Sequence, residues 1–131
     1  SAALAQTVEP AKDHVQDYEL LSAQMRICRM AHKTDTLRAQ IDGRDQMVAN
    51  YRKFLSCRDK VTTGAKTLYS ELFAKVRGAA GRAALKNHHA EFVVMIEAER
   101  RDNESEGAFA ARLASMDDKV KIAYQRLQLE L

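Results

Sequence analysis

Apolar positions return every three or four residues along nearly the whole chain, and no stretch shows the sustained alternation of a half-buried strand. Between residues 18 and 41 two such stripes run side by side. Leu20, Ala23, Ile27, Met30, Thr34, Leu37 and Ile41 form one, and Tyr18, Leu21, Met25, Cys28 and His32 form the other. Adjacent stripes predict one long helix with a broad apolar face, suited to the middle of a bundle. Its opening turn is expected near Thr7, because Glu9 and Pro10 are tolerated in a first helical turn.

Turn residues divide the rest of the pattern. Asp42-Gly43 is the first strong break, since Gly closes a helix in the left-handed region at little cost. Lys33-Thr34-Asp35-Thr36, with three capping side chains, is a rival. A second helix then carries Met47, Val48, Tyr51, Phe54, Leu55, Cys57 and Val61 and is expected to stop at Thr62-Thr63-Gly64. A short third presents Leu68, Tyr69, Leu72, Phe73 and Val76. After Gly78-Ala79-Ala80-Gly81 a fourth is expected from about Arg82 to Arg101, and Asp102-Asn103 with Ser105 opens the last. In that last helix Phe109, Leu113, Met116, Val120, Ala123 and Leu127 keep a coiled-coil-like rhythm, a candidate interaction seam or simply a core face. The expected fold is an all-α, antiparallel helical bundle of about five segments built on a long helical hairpin. It forms a single domain over residues 1–131, with 1–6 set apart as the tail of an export signal or a disordered N-terminus.

Composition supports this picture. Of 131 residues 46% are hydrophobic and 30% charged, with one proline and no Trp, which fits a folded helical domain and argues against a sandwich or barrel. The longest apolar run, Phe92 to Ile96, is far too short for a membrane span. Charge is uneven. Residues 26–86 hold 14 basic and 5 acidic side chains, while residues 1–25 hold 1 and 4 and residues 87–131 hold 6 and 9. The basic middle makes Arg26, Arg29, Lys33, Arg38, Arg44, Arg52, Lys53, Arg58 and Lys60 candidates for an anionic surface, nucleic acid or lipid headgroups.

The two cysteines bear on both fold and compartment. With a turn at Gly43, Cys28 lies 15 residues before it and Cys57 lies 14 after it, so the pair is level on antiparallel helices. With a turn near residue 34 they are mismatched by roughly 25 Å at 1.5 Å per residue. Only the first arrangement allows a disulfide between Cys28 and Cys57. A level pair, together with the small-x-small pattern Ala3-x-Ala5, slightly favours a periplasmic or secreted protein over a cytoplasmic one.

Sites of chemistry are sparse. Cys28 and His32 have the i, i+4 spacing of metal ligands, and His88-His89 adds two imidazoles, but a disulfide would consume the thiolate, so no metal or cofactor is expected. The run from Arg77 to Arg82 resembles a phosphate-cradling glycine loop, yet no strand precedes it. Glu97, Glu99, Asp102, Glu104 and Glu106 read as a solvated turn, and no Glu-x-x-His pair suggests a di-iron bundle. No catalytic constellation stands out, and no small-molecule substrate is inferred. The expected role is non-enzymatic, acting through a protein partner or self-association as an interaction or scaffolding bundle, with the anionic surface as the alternative.

Overall fold

The computed structural model describes residues 12–131. Four helices follow one another, α1 (His14–Asp42), α2 (Arg44–Lys75), α3 (Ala79–Glu97) and α4 (Glu106–Glu130), and the described residues contain no strand. The all-α class stands, with four helices among the described residues in place of about five segments.

Helix α1 starts behind Asp13, whose carboxylate accepts from the backbone N–H groups of Val15 and Gln16. Another orphan donor, His14 N–H, is taken by the Gln128 side chain of α4 at 3.1 Å, tying the start of α1 to the last turns of α4. Thr7, Glu9 and Pro10, where the opening turn was expected, lie outside the described residues, as does the segment 1–6. The helix runs unbroken through Lys33 to Thr36, so the rival turn is not used. Reversal comes at Gly43, which has φ of 103° and links α1 to α2 with no other intervening residue.

The hairpin keeps one register along its length. Leu21 lies against Gly64, Cys28 against Cys57, and Asp35 accepts a bond from Asn50, each step seven residues along α1 and seven back along α2. Seven residues are two helical turns, so the same edges of both helices meet repeatedly.

The expected stop at Thr62-Thr63-Gly64 is corrected: α2 continues through it to Lys75. Gly64 is there for close approach and does not break the helix, since a Cβ at that position would collide with Leu21 Cδ2. Thr62 and Thr67 return their hydroxyls to the carbonyls of Arg58 and Thr63, so they stay within the helix. The true break is Gly78, with φ of 85°, and α3 therefore begins at Ala79, ahead of the expected Arg82. It ends at Glu97, short of Arg101, where Arg29 Nη2 donates to the carbonyls of Met95 and Ile96 at 3.0 Å each and occupies its last acceptors.

Each helix packs on its sequence neighbours, and α4 closes the ring on α1. All four contribute to one core: Tyr18 and Met25, Ala65 and Leu72, Leu85 and Phe92, Val120 and Tyr124 are all buried. Tyr18 sits at its centre, edge-on to Phe92 at 4.8 Å and stacked on Tyr124 at 5.2 Å between ring centres.

Candidate interaction surface

Only one of the two α1 stripes is used by the bundle. Tyr18, Met25 and Cys28 are buried and Leu21 and His32 half-buried, as a core face requires. The other stripe faces solvent: Leu20 is 59% exposed, Ile27 63%, Met30 70%, Leu37 57% and Ile41 88%. The expected broad buried face is therefore corrected to a narrow one, because a helix at the corner of a four-helix ring touches two neighbours and turns its far side outward. The exposed stripe runs over 22 residues, about 32 Å from Leu20 to Ile41 at 1.5 Å per residue. Its five exposed apolar side chains share one face of α1, with half-buried Ala23 and the polar Thr34 between them, whereas singly scattered surface apolar groups need no explanation.

Basic side chains flank the row. Arg26 and Lys33 lie on one side and Arg38 on the other, while the acidic Glu19 on that first side is neutralised by Lys121 at 3.0 Å. Lys33 pairs with Glu106 at 2.9 Å, but both partners are well exposed and such pairs hold little energy against solvent. Met47, Val48 and Tyr51, all half-exposed near the hairpin turn on α2, add a second apolar patch.

The expected seam on α4 packs inside this bundle. Val120 and Leu127 are buried in the core, Leu113 and Met116 pack against it, and Phe109 is half-buried within cation–π range of Arg29 and Arg112. The buried partner between Val120 and Leu127 is Tyr124, where the sequence rhythm had pointed to Ala123.

Of the nine basic candidates, several already have internal duties. Arg29 caps α3, Lys33 meets Glu106, Lys53 lies 3.5 Å from Asp35, and Arg58 lies over the Phe54 ring. Arg26 donates to Ser22 Oγ at 3.1 Å. Arg38, Arg44, Arg52 and Lys60 are exposed and spread along both helices. The basic middle thus forms no single patch, because helical periodicity distributes its charges around two rods.

Cys28 and Cys57 stand at disulfide-bonding distance with Cα atoms 5.7 Å apart. His32 stacks on Phe54 at 4.6 Å between ring centres, and His89 lies 4.8 Å from the Tyr69 ring. Burial lowers the pKa of His88 and His89, and the Lys66 charge adds to the shift at His89.

One charged cluster was not anticipated. His14, Asp17 and Glu71 bring three metal-type ligand atoms together at the open end of the α1–α2 pair. An ammonium already fills the place a cation would take, for Lys12 Nζ is 2.7 Å from Glu71 and 3.5 Å from Asp17. Lys75 Nζ approaches His14 Nε2 at 2.9 Å. Burial foremost, then Lys75, lowers the His14 pKa against the opposing pull of Asp17 and Glu71. A metal here would have to displace two ammonium groups, Lys12 and Lys75, while His14 Nδ1 and Asp17 Oδ2, 3.4 Å apart, have no hydrogen-bond partner among the described residues. The cluster's sequence signal, His-x-x-Asp facing a carboxylate one hairpin away, becomes readable only after the Gly43 register is known.

No family model, no curated protein and no solved structure matches this chain.

Proposed function

We propose that the protein is a non-enzymatic interaction module, docking the exposed α1 stripe against one helix of a partner protein in an oxidising compartment. The single observation behind this reading is the unpartnered row from Leu20 to Ile41, repeating at three and four residues as a two-helix seam does. Arg26, Lys33 and Arg38 beside the row define the partner: a helix with apolar residues at the same spacing and carboxylates in its flanking positions. A second copy is a poor occupant, since either orientation of two α1 helices sets these basic flanks against each other. The cysteine pair is compatible with an oxidising compartment and supports export, and no described helix is long and apolar enough to cross a membrane.

The test uses two synthetic helices of about four heptads, leucine at the seam positions, one flanked by glutamates and the other by lysines. The glutamate peptide is expected to bind the oxidised protein and the lysine peptide not. Ile27→Glu and Leu37→Glu, at exposed positions where the fold does not depend on the side chain, are expected to abolish binding with native melting retained. Equal binding of both peptides, or binding indifferent to both substitutions, overturns the reading. The outward Arg38, Arg44, Arg52 and Lys60 favour the second reading, an anionic surface, whose sign is binding to duplex DNA or anionic vesicles that survives Leu37→Glu.

A further inference from the structure

A cleft of about 240 Å³ lies between α1 and α4. It exists because Ala110 and Ala114, one turn apart on α4, are too short to fill the space above Met25, Met95 and Leu113. Both methionines are almost fully buried, so the floor is apolar and, being thioether, adaptable in shape. An apolar cavity of about 150 Å³ already takes a benzene ring, so this one has room for a ring or a short alkyl chain.

The rim is cationic. Arg29 is half-buried, gives one guanidinium nitrogen to the carbonyls ending α3, and has no carboxylate within ion-pair distance among the described residues. Burial, then the charges of Arg58 and Arg112, lower its pKa, against a smaller opposing pull from the Glu99 carboxylate. Arg112 is itself satisfied by Glu104 at 2.8 Å. A shielded arginine normally has a directly paired anion, and here Glu99 acts on it only from beyond ion-pair distance, with no closer carboxylate among the described residues. Arg26 stands one turn away with its side chain 62% exposed. Asp117, the acid on this rim, has one oxygen taken by Tyr18 and Ser22, and its other oxygen is 3.9 Å from Arg26.

We propose that this cleft binds a small organic carboxylate with an apolar body, the body lying on Met25, Met95 and Leu113 and the carboxylate supplying the counter-ion that Arg29 lacks, with Arg26 as a second donor. The cleft floor lies on the α4 side of α1 and the partner-helix stripe on its outward side, and Arg26 alone borders both.

Calorimetric titration of the oxidised full chain with octanoate, octanol and acetate tests it. Octanoate is expected to saturate one site, with the neutral alcohol and the short acid each binding at least about tenfold more weakly, because each lacks one half of the recognition. Ala114→Leu fills the cleft from an exposed helix position and is expected to abolish octanoate binding, and Arg26→Ala to weaken it about tenfold, both with native melting. The Arg29 Nε–H resonance is expected to shift with octanoate and not with octanol. Absence of saturable octanoate binding overturns the proposal, as does octanol binding as tightly, or undiminished binding to Ala114→Leu.

Discussion

Two tyrosines meet face to face in the core with opposite hydrogen-bonding fates. Tyr18 donates its hydroxyl to Asp117 Oδ1 at 2.6 Å, whereas the buried Tyr124 hydroxyl has no partner among the described residues. Tyr18→Phe removes a bond to a charged acceptor and is expected to cost about 1.5–3 kcal/mol in urea unfolding. Tyr124→Phe removes an unsatisfied polar atom from the same core and is expected to be neutral or to stabilise by about 1 kcal/mol; a loss comparable to Tyr18→Phe would contradict this assignment. The histidines make a second residue-scale case. His14, His88 and His89 all have folded pKa values below the usual 6.5, burial being the first cause at each, so the fold favours their neutral forms. Their contribution is complete above about pH 6.5 and is lost as pH falls through the lowered folded values. Carboxylates such as Glu104, held down to about 2 by Arg112, act in the same sense but only at lower pH, below the ordinary 4.5, and so stay outside this window. The urea midpoint is therefore expected to fall between about pH 7.5 and 5.5, and the double variant His88→Leu/His89→Phe to flatten that fall. An unchanged slope in the variant would place the titration elsewhere.

The long hairpin was readable at the scale of elements because its signals agree: Gly43 is the strong turn residue, and only a turn there levels Cys28 with Cys57. The cross-link closes a 29-residue separation, for which chain entropy gives about 3–4 kcal/mol of stabilisation. Reduced protein, or Cys28→Ser/Cys57→Ser, is expected to lose about that amount in urea unfolding, and a loss below about 1 kcal/mol would mean the hairpin is prealigned without the bond. Gly64 was misread for a physical reason. A glycine that permits close helix approach and a glycine that ends a helix look alike until the opposing residue, here Leu21, is known. The same limit hid which α1 stripe is buried. Both carry apolar residues at helical spacing, and the choice was made by α2 and α4 packing on one side. The α4 seam erred by a single position, Tyr124 for Ala123, because a strict three-four alternation drifts from the 3.6-residue turn of a straight helix.

At the scale of the whole molecule, the exposed stripe and the charges beside it pull in opposite directions with respect to self-association. Burying Leu20, Ile27, Met30, Leu37 and Ile41 against a second α1 is favourable through the hydrophobic effect, which salt does not screen. Arg26, Lys33 and Arg38 oppose it by repulsion, and that repulsion decays with ionic strength, the screening length falling from about 10 Å at 0.1 M to about 3 Å at 1 M salt. The protein is therefore expected to sediment as a monomer at low salt and to shift toward dimer as sodium chloride rises. Ordinary surface ion-pair dimers behave the opposite way, weakening as salt is added. Ile27→Glu is expected to remain monomeric throughout, and an Arg26→Glu/Lys33→Glu variant to dimerise already at low salt, because its acidic flank then meets the partner's Arg38 in the parallel pairing. Sedimentation velocity across the salt range separates these cases. A dimer that dissolves on adding salt, or a wild-type monomer at every ionic strength, would mean that the flanking charges do not govern this face.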